Sequence, residues 1–294
     1  MSLLPILTHE ATDVRRLGPV DREQAVAFLH EQPTVNAFHL GWLHENDIVP
    51  RQPYHRYEFL GAFDGSRLVG LALLAAGTVC CLSAMSDETA WSIARRVGAS
   101  APPLRTVVGP RDATRAFWRG WASPGETPRL VHDQVLLGLR SRGLRYFPEP
   151  LLECAGDDDL DQVVAASLDM HSEETGLPID AEERELFTRS VATRLRSGRV
   201  YVTRDEMTGQ VAFKASISSW SPTAAQIEGV YVPPRFRQRG LARRGLSEMC
   251  RQLLYETGEV TLYVNEGNEP ARRLYERLGF RQAARMSTLF LDAR

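Results

Sequence analysis

The sequence predicts a mixed α/β (α+β) fold built from two copies of one unit, on three observations. A chain of 294 residues is long for one compact core and suits two domains of roughly 150 residues each. Strand-like and helix-like patterns succeed one another in the same order in both halves: strand, two helices, three strands, helix, strand, helix, strand. Between the halves lies 142–150, which carries Gly143, Pro148 and Pro150 and reads as a linker. The expected domains are therefore 1–143 and 149–294.

In the first half, Asp21 opens a helix over 21–31, and a second helix covers 35–45. Strands at 57–63 and 68–75 flank Asp64-Gly65, a strong hairpin turn. A third strand covers 78–85, Asp87 caps a helix through 97, and a strand at 104–108, a helix at 112–121 and a strand at 134–139 follow. The second half starts with a short strand at 151–154. Asp159 and Asp180 cap helices through 170 and over 181–196, and strands lie at 199–203, 211–218 and 225–232. A helix over 239–257, a strand at 260–264, a helix over 270–278 closed by Gly279, and a strand at 280–291 complete it.

Composition narrows the function. With 43% hydrophobic and 24% charged residues the chain is ordinarily globular, and a net charge of −2 gives no field for nucleic acid or anionic membrane. No apolar run reaches the roughly 18 residues that span a bilayer. Residues 1–10 lack a basic lead, so no signal peptide is read and a cytoplasmic protein is expected. Cys80, Cys81, Cys154 and Cys250 form no metal-ligand spacing; reduced, mostly buried thiols and no metal are expected. Lys214 is the only lysine, so arginine is the default cation.

The most informative stretch is Val230-Tyr231-Val232-Pro233-Pro234-Arg235-Phe236-Arg237-Gln238-Arg239-Gly240-Leu241-Ala242. A strand ends, an Arg-rich loop follows, and a helix starts at a glycine. Unpaired N–H groups and partial positive charge at a helix start make a phosphate cradle. Gly240 and the small Ala242 allow close backbone approach. Arg235, Arg237, Arg239, Arg243 and Arg244 crowd ten residues, more than the arginine content alone supplies.

Arg237-Gln238-Arg239-Gly240-Leu241-Ala242 resembles the Arg/Gln-x-x-Gly-x-Gly/Ala loop of the GNAT N-acetyltransferases. About thirty residues on, Asn268-Glu269-Pro270-Ala271-Arg272-Arg273-Leu274-Tyr275-Glu276-Arg277-Leu278-Gly279-Phe280 resembles that family's Asn-x-x-Ala-x-x-Leu-Tyr-x-x-x-Gly-Phe motif. The whole chain looks like the two-domain bacterial GNAT proteins, whose N-terminal domain is a degenerate copy. The resemblance implies tandem GNAT-like units, each a mixed, mostly antiparallel sheet flanked by helices. It implies acetyl-CoA as co-substrate and a primary amine, on a small molecule, peptide or protein, as acceptor. In the first half the equivalent loop is Ala84-Met85-Ser86-Asp87-Glu88-Thr89-Ala90, whose acids would repel phosphate, so no acyl-CoA binding is expected there.

Acetyl transfer needs a neutral amine. A lysine-like amine of pKa about 10.4 is neutral in about one molecule per 2,500 at pH 7, a cost of about 4.6 kcal/mol, so a base is valuable. Glu228, on the strand entering the loop, is the candidate base, with an ordered water as the alternative that the resemblance leaves open, and the resemblance assigns Tyr275 the departing thiolate. A phenol near pKa 10 is a weaker acid than a thiol near 8.5, so a hydrogen bond is the easier task. The resemblance gives cofactor contacts to Val230, Tyr231 and Val232 through the backbone, to Arg237, Gln238, Arg239, Gly240, Leu241 and Ala242 in the loop, and to Asn268, which also suits a helix cap.

His171, Glu173 and Glu174 fall in a loop that borders the acceptor site in this family, and the acids would suit a cationic amine. Cys250 lies in an apolar helical stripe with Leu246, Met249, Leu253 and Leu254 and reads as core. Lys214 reads as a surface cation. Phe38, Trp42, Phe117, Trp118 and Trp121 read as first-half core or interface. Direct transfer in a ternary complex is the leading expectation and a noncatalytic acyl-CoA sensor the alternative. Aminoacyl transfer from tRNA fits poorly with a retained pyrophosphate loop and no wider basic face.

Overall fold

The computed structural model describes residues 13–52, 56–100, 103–176 and 181–292. The first half runs β1 (Asp13–Arg16), α1 (Arg22–Leu29), α2 (Ala37–Glu45), β2 (Tyr57–Asp64), β3 (Arg67–Ala75), β4 (Val79–Leu82), α3 (Asp87–Ser100), β5 (Thr106–Pro110), α4 (Arg111–Trp121) and β6 (Leu130–Leu139). The second repeats the order: β7 (Glu153–Cys154), α5 (Leu160–Thr175), α6 (Ala181–Arg196), β8 (Val200–Arg204), β9 (Val211–Trp220), β10 (Ala225–Tyr231), α7 (Leu241–Glu256), β11 (Val260–Asn265), α8 (Glu269–Leu278) and β12 (Arg281–Phe290). Residues 1–10 and the Asp180 cap lie outside the described residues.

The compact units are Met1–Val135 with Ala284–Arg294, and Leu136–Ala283. This differs from the division expected from sequence. The last strand pairs with β5, from Met286 opposite Pro110 to Phe290 opposite Thr106, and Leu289 and Leu291 join the first unit's core. Conversely, the end of β6 belongs to the second unit, beside β11. Alternation in a sequence marks a strand but not the neighbour it will find.

The first unit's sheet has the order β1-β2-β3-β4-β5-β12-β6, with β4 and β5 parallel and the other registered pairs antiparallel. Successive residues of β2 and β3 are apolar because helices cover both faces. Leu60, Ala62, Ala72 and Leu74 pack with α3 and α4, while Phe59, Phe63, Leu71 and Leu73 pack with α1 and α2. Phe117 and Trp121 are core under α3 and α4, with Trp118 packed against it, while Phe38 and Trp42 pack against the core under α1 and α2. Asp87 lies inside α3 rather than capping it; the Ser86 hydroxyl accepts from the Thr89 amide instead. β1, with one apolar residue in Asp-Val-Arg-Arg, carries too little pattern to be read from sequence.

The second unit repeats the arrangement: β7-β8-β9-β10 antiparallel, then β11 parallel to β10. Ala155, Val163, Val191, Leu195, Val200, Val202 and Val211 form the core under α5 and α6. On α7, Leu246, Met249, Cys250 and Leu253 are buried. Of the four thiols Cys154 is exposed and the others buried. The expected linker is a packed part of this unit. The Arg145 amide donates to the Leu278 carbonyl at 2.9 Å, the Phe147 amide to Ser247 Oγ at 2.7 Å, and the Tyr146 hydroxyl to Glu248 at 2.6 Å.

Candidate active site

β10 and β11 run as parallel partners only from Ala225 opposite Val260 to Ile227 opposite Leu262. Both strands continue, β10 to Tyr231 and β11 to Asn265, with no further pairing registered between the two among the described residues. A cavity of about 860 Å³ has Val230, Tyr231 and Val232 from β10 and its end, and Asn265 from β11, in its lining. On the β9 side the ladder slips: Glu228 faces Ser216 but Tyr231 faces Lys214, so β10 holds one extra residue. Gly229, at φ +65°, takes up this bulge in a conformation that side chains disfavour.

After β10, Pro234–Phe236 form one tight turn with Phe236 buried. Gln238 and Gly240 then both adopt left-handed backbone, at φ 64° and 75°. For glutamine that is an uncommon state costing on the order of 1–3 kcal/mol, of the kind that collects at ligand clamps. Alternating backbone hands turn successive N–H groups toward one side, and α7 begins at Gly240 with no side-chain cap. Gln238, Gly240, Leu241 and Ala242 all line the cavity.

The five arginines separate here. Arg237 donates to both Glu173 oxygens at 2.8 Å, and from Nε to the Val232 carbonyl at 3.0 Å. Arg239 pairs with Asp205 at 3.6 Å and Arg244 with Glu149 at 2.9 Å. Arg235 stacks on Phe236. Arg243 lines the cavity, lies over Phe147 at 4.4 Å, and has a buried Nε without a protein hydrogen-bond partner. Arg237 keeps a cavity position, but its guanidinium is committed to Glu173; Arg239 is absent from the lining.

From the other side, Asn268 caps α8 by accepting from the Ala271 amide at 3.1 Å and also lines the cavity. Tyr275 is 6% exposed, lies edge-on to Phe280 at 5.8 Å and lines the cavity. Burial, then the charge of Glu174, raises its pKa above that of an ordinary phenol.

Among the acidic residues, Glu173 also accepts from the Tyr231 hydroxyl at 2.8 Å. Burial pushes its pKa up, but the bonds from Arg237 and Tyr231 outweigh this and hold it low; burial and Glu173 push Tyr231 up to about 12. Glu174 is exposed at one side of the residue and lines the cavity at the other, and its crowding by neighbouring atoms, ahead of the charges of Glu173 and Glu228, raises its pKa against the opposing pull of Lys214. Glu228 is paired with Arg194 of α6 at 2.8 Å and does not line the cavity. His171, Glu173 and Glu174 lie in the last turns of α5, which runs on to Thr175, and not in the loop expected from sequence; His171 packs edge-on near Phe187 at 6.3 Å, also outside the lining.

Sequence reasoning missed Met170, Asn265 and Arg243 as lining residues. Asn265 Oδ1 is buried without a protein partner. A polar residue ending an otherwise apolar strand was a usable signal. Lys214 is corrected outright: it is 2% exposed, because its strand is covered on both faces.

The residues fit a CoA thioester. An uncapped helix start and the Arg243 guanidinium offer donors to phosphate, and orphaned Asn265 Oδ1 offers an acceptor for an amide N–H. Among the described residues, no group of three or more His, Cys, Asp or Glu is placed to hold a metal, and no helix is long and apolar enough to cross a membrane.

Residues 218–290 match the family model described as FR47-like protein. A search of curated protein sequences finds no match. Among solved structures, the chain resembles a tandem GNAT protein from the clavulanic acid biosynthesis pathway at 16% identity and TM-score 0.55, covering 96% of this chain and 99% of that one. A Drosophila protein matches at 13% identity and TM-score 0.67, covering 95% and 98%. A GCN5-related N-acetyltransferase from Sphaerobacter thermophilus matches at 17% identity and TM-score 0.54, covering 97% and 96%. These likenesses establish the GNAT acetyltransferase fold across the chain.

Proposed function

We propose that this chain, which carries the GNAT acetyltransferase fold, is an acetyl-CoA-dependent N-acetyltransferase passing acetyl directly to a primary amine in a ternary complex. The observation that supports this most is the parting of β10 and β11 over a cavity lined by the strained Gln238–Gly240 loop on one side and Tyr275 on the other. Acetyl-CoA would supply an activated acyl group. The amides of Val230 and Val232 and the first turn of α7 would bind and orient it. Arg243 and Asn268 would add side-chain contacts.

Tyr275 acts as a hydrogen-bond donor. Its raised pKa keeps the phenol protonated at working pH, and complete proton transfer from it is less favourable than from a free phenol. Glu174 replaces Glu228 as the proposed base. It lines the cavity and its raised pKa makes it a stronger base than an ordinary carboxylate, whereas Glu228 is committed to Arg194. With Glu173 committed to Arg237 and Tyr231, Glu174 is the acid left in the lining to favour a cationic amine as acceptor.

Free-CoA release from acetyl-CoA, measured over a panel of amines, tests the reading. Tyr275→Phe should lower kcat about tenfold or more with little change in acetyl-CoA affinity. Glu174→Gln should lower kcat and erase the acid limb of the pH profile, while Glu228→Gln should do less. The acid limb should lie above the ordinary carboxylate value of 4.5, because Glu174 takes up its proton early as pH falls. Acetyl-CoA binding without turnover of any amine would favour the noncatalytic sensor, and absence of binding would overturn both.

A further inference from the structure

Lys214 is the chain's only lysine, is 2% exposed, and points from β9 at the bulge of β10. Its Nζ donates to the Gly229 carbonyl at 3.1 Å. A Cβ on Gly229 would come within 3.2 Å of that nitrogen, so the bulge and the lysine fit each other tightly. The charged groups around it are Glu228 on β10, Arg194 on α6 and Glu174 on α5. Building on the acetyltransferase reading above, we propose that Lys214 is a positioning residue: its ammonium clips the Gly229 carbonyl and thereby sets the direction in which β10 carries Val230, Tyr231 and Val232 into the cavity.

Energetics support a role other than holding the fold. Burial lowers the lysine's pKa to about 8, with Glu228 and Glu174 opposing that shift and Arg194 adding to it. A base whose folded pKa is depressed costs stability wherever both states are charged. That cost is fully present below pH 8 and is relieved as pH rises toward the unfolded value of 10.5. A buried ammonium that works against folding at neutral pH needs another reason to be there, and the splayed strand beside it provides one. Lys214 thus feels the charge of Glu174, which lines the cavity, and holds Gly229, which directly precedes the Val230 amide.

A single lysine makes the test direct. In full-length protein labelled at lysine Cε and Nζ, with no lysine in any tag, one side-chain signal reports the titration without acyl-CoA. It should titrate at about 8; an ordinary midpoint of about 10.4 overturns the proposal. Lys214→Met should speed amide exchange over 228–232 and lower kcat about tenfold, with the melting temperature at pH 7 kept within a few degrees of wild type. The wild-type advantage in kcat/KM should shrink as pH passes 8, when the ammonium is lost. Unchanged exchange overturns the clip, and so does a wild-type kcat and pH profile in the variant. A large fall in melting temperature with kcat per folded molecule unchanged would make the lysine a structural prop instead. If Lys214→Met does not fold, Lys214→Arg, whose charge does not titrate, should abolish the fall of kcat/KM above pH 8, and a fall that persists in that variant overturns the proposal. Failure of wild type to bind acetyl-CoA would count against the functional reading, while titration and exchange still decide the clip.

Discussion

The two repeats place a strand, a loop and a helix at corresponding points, and the two loops differ in length and in how far their amides are already used. In the second unit nine residues separate β10 from α7, two of them left-handed, and α7 starts without a side-chain cap. In the first, four residues join β4 to α3, and the amides of two of them, Ser83 and Ala84, are already used, as is one in the first turn of the helix. The Ala84 amide donates to Asn36 Oδ1 at 3.0 Å, the Ser83 amide to the Leu71 carbonyl, and the Thr89 amide to Ser86 Oγ. Counted from the helix start, Tyr275 of α8 corresponds to Phe117 of α4, which is fully buried and has no hydroxyl. The fold is tolerant of either loop; what differs is the loop's length and how many of its backbone donors are already used.

The comparison breaks most visibly if the repeats are separated. A chain of 149–294 loses the end of β6 beside β11 and the 140–148 segment with its bonds to Leu278, Ser247 and Glu248. It also strands the last residues of β12, whose partner β5 lies in the first half. Several hydrogen bonds at about 1 kcal/mol each and an open sheet edge are large against a total stability of about 5–15 kcal/mol. The fragment should lack a cooperative thermal transition by circular dichroism. A sharp transition with acetyl-CoA binding would mean that the repeats are independent domains.

A smaller effect sharpens the contrast between loops. Gly240→Val puts a β-branched residue at φ 75°, and Gly65→Val does the same at φ 57° in the β2–β3 turn of the first unit. Both should cost about 1–2 kcal/mol of stability, read by denaturant unfolding. Only Gly240→Val should weaken acetyl-CoA binding, by about thirtyfold or more (about 2 kcal/mol), read by calorimetry. Equal losses in both variants would mean that the loop acts through global stability.

These differences mark what the sequence could and could not convey. The element order was legible because hydrophobic period and turn residues are local, and so were Gly240, Asn268 and Tyr275, which sit in a recurring motif. The strand exchange was not, because β12 carries the same alternation whichever neighbour it meets. Nor was the division of the arginines: Arg237 and Arg243 look alike in sequence, yet one is bound by Glu173 and the other keeps a free Nε. Lys214 read as surface because a polar residue in an alternating strand implies a wet face, and here helices cover both faces.

The smallest expected effect tests why the first unit's loop is silent. Two explanations compete: repulsion of phosphate by Asp87 and Glu88, and prior use of the amides by Asn36 and Ser86. Asp87 is paired with Arg119 at 3.1 Å and both acids are exposed, so their field is screened and modest. If amide occupancy decides the matter, Asp87→Asn with Glu88→Gln should leave acetyl-CoA stoichiometry by calorimetry at one per chain and its affinity unchanged. A second binding event in that variant would show that charge alone silences the first loop, and the distinction between free and occupied donors would fall.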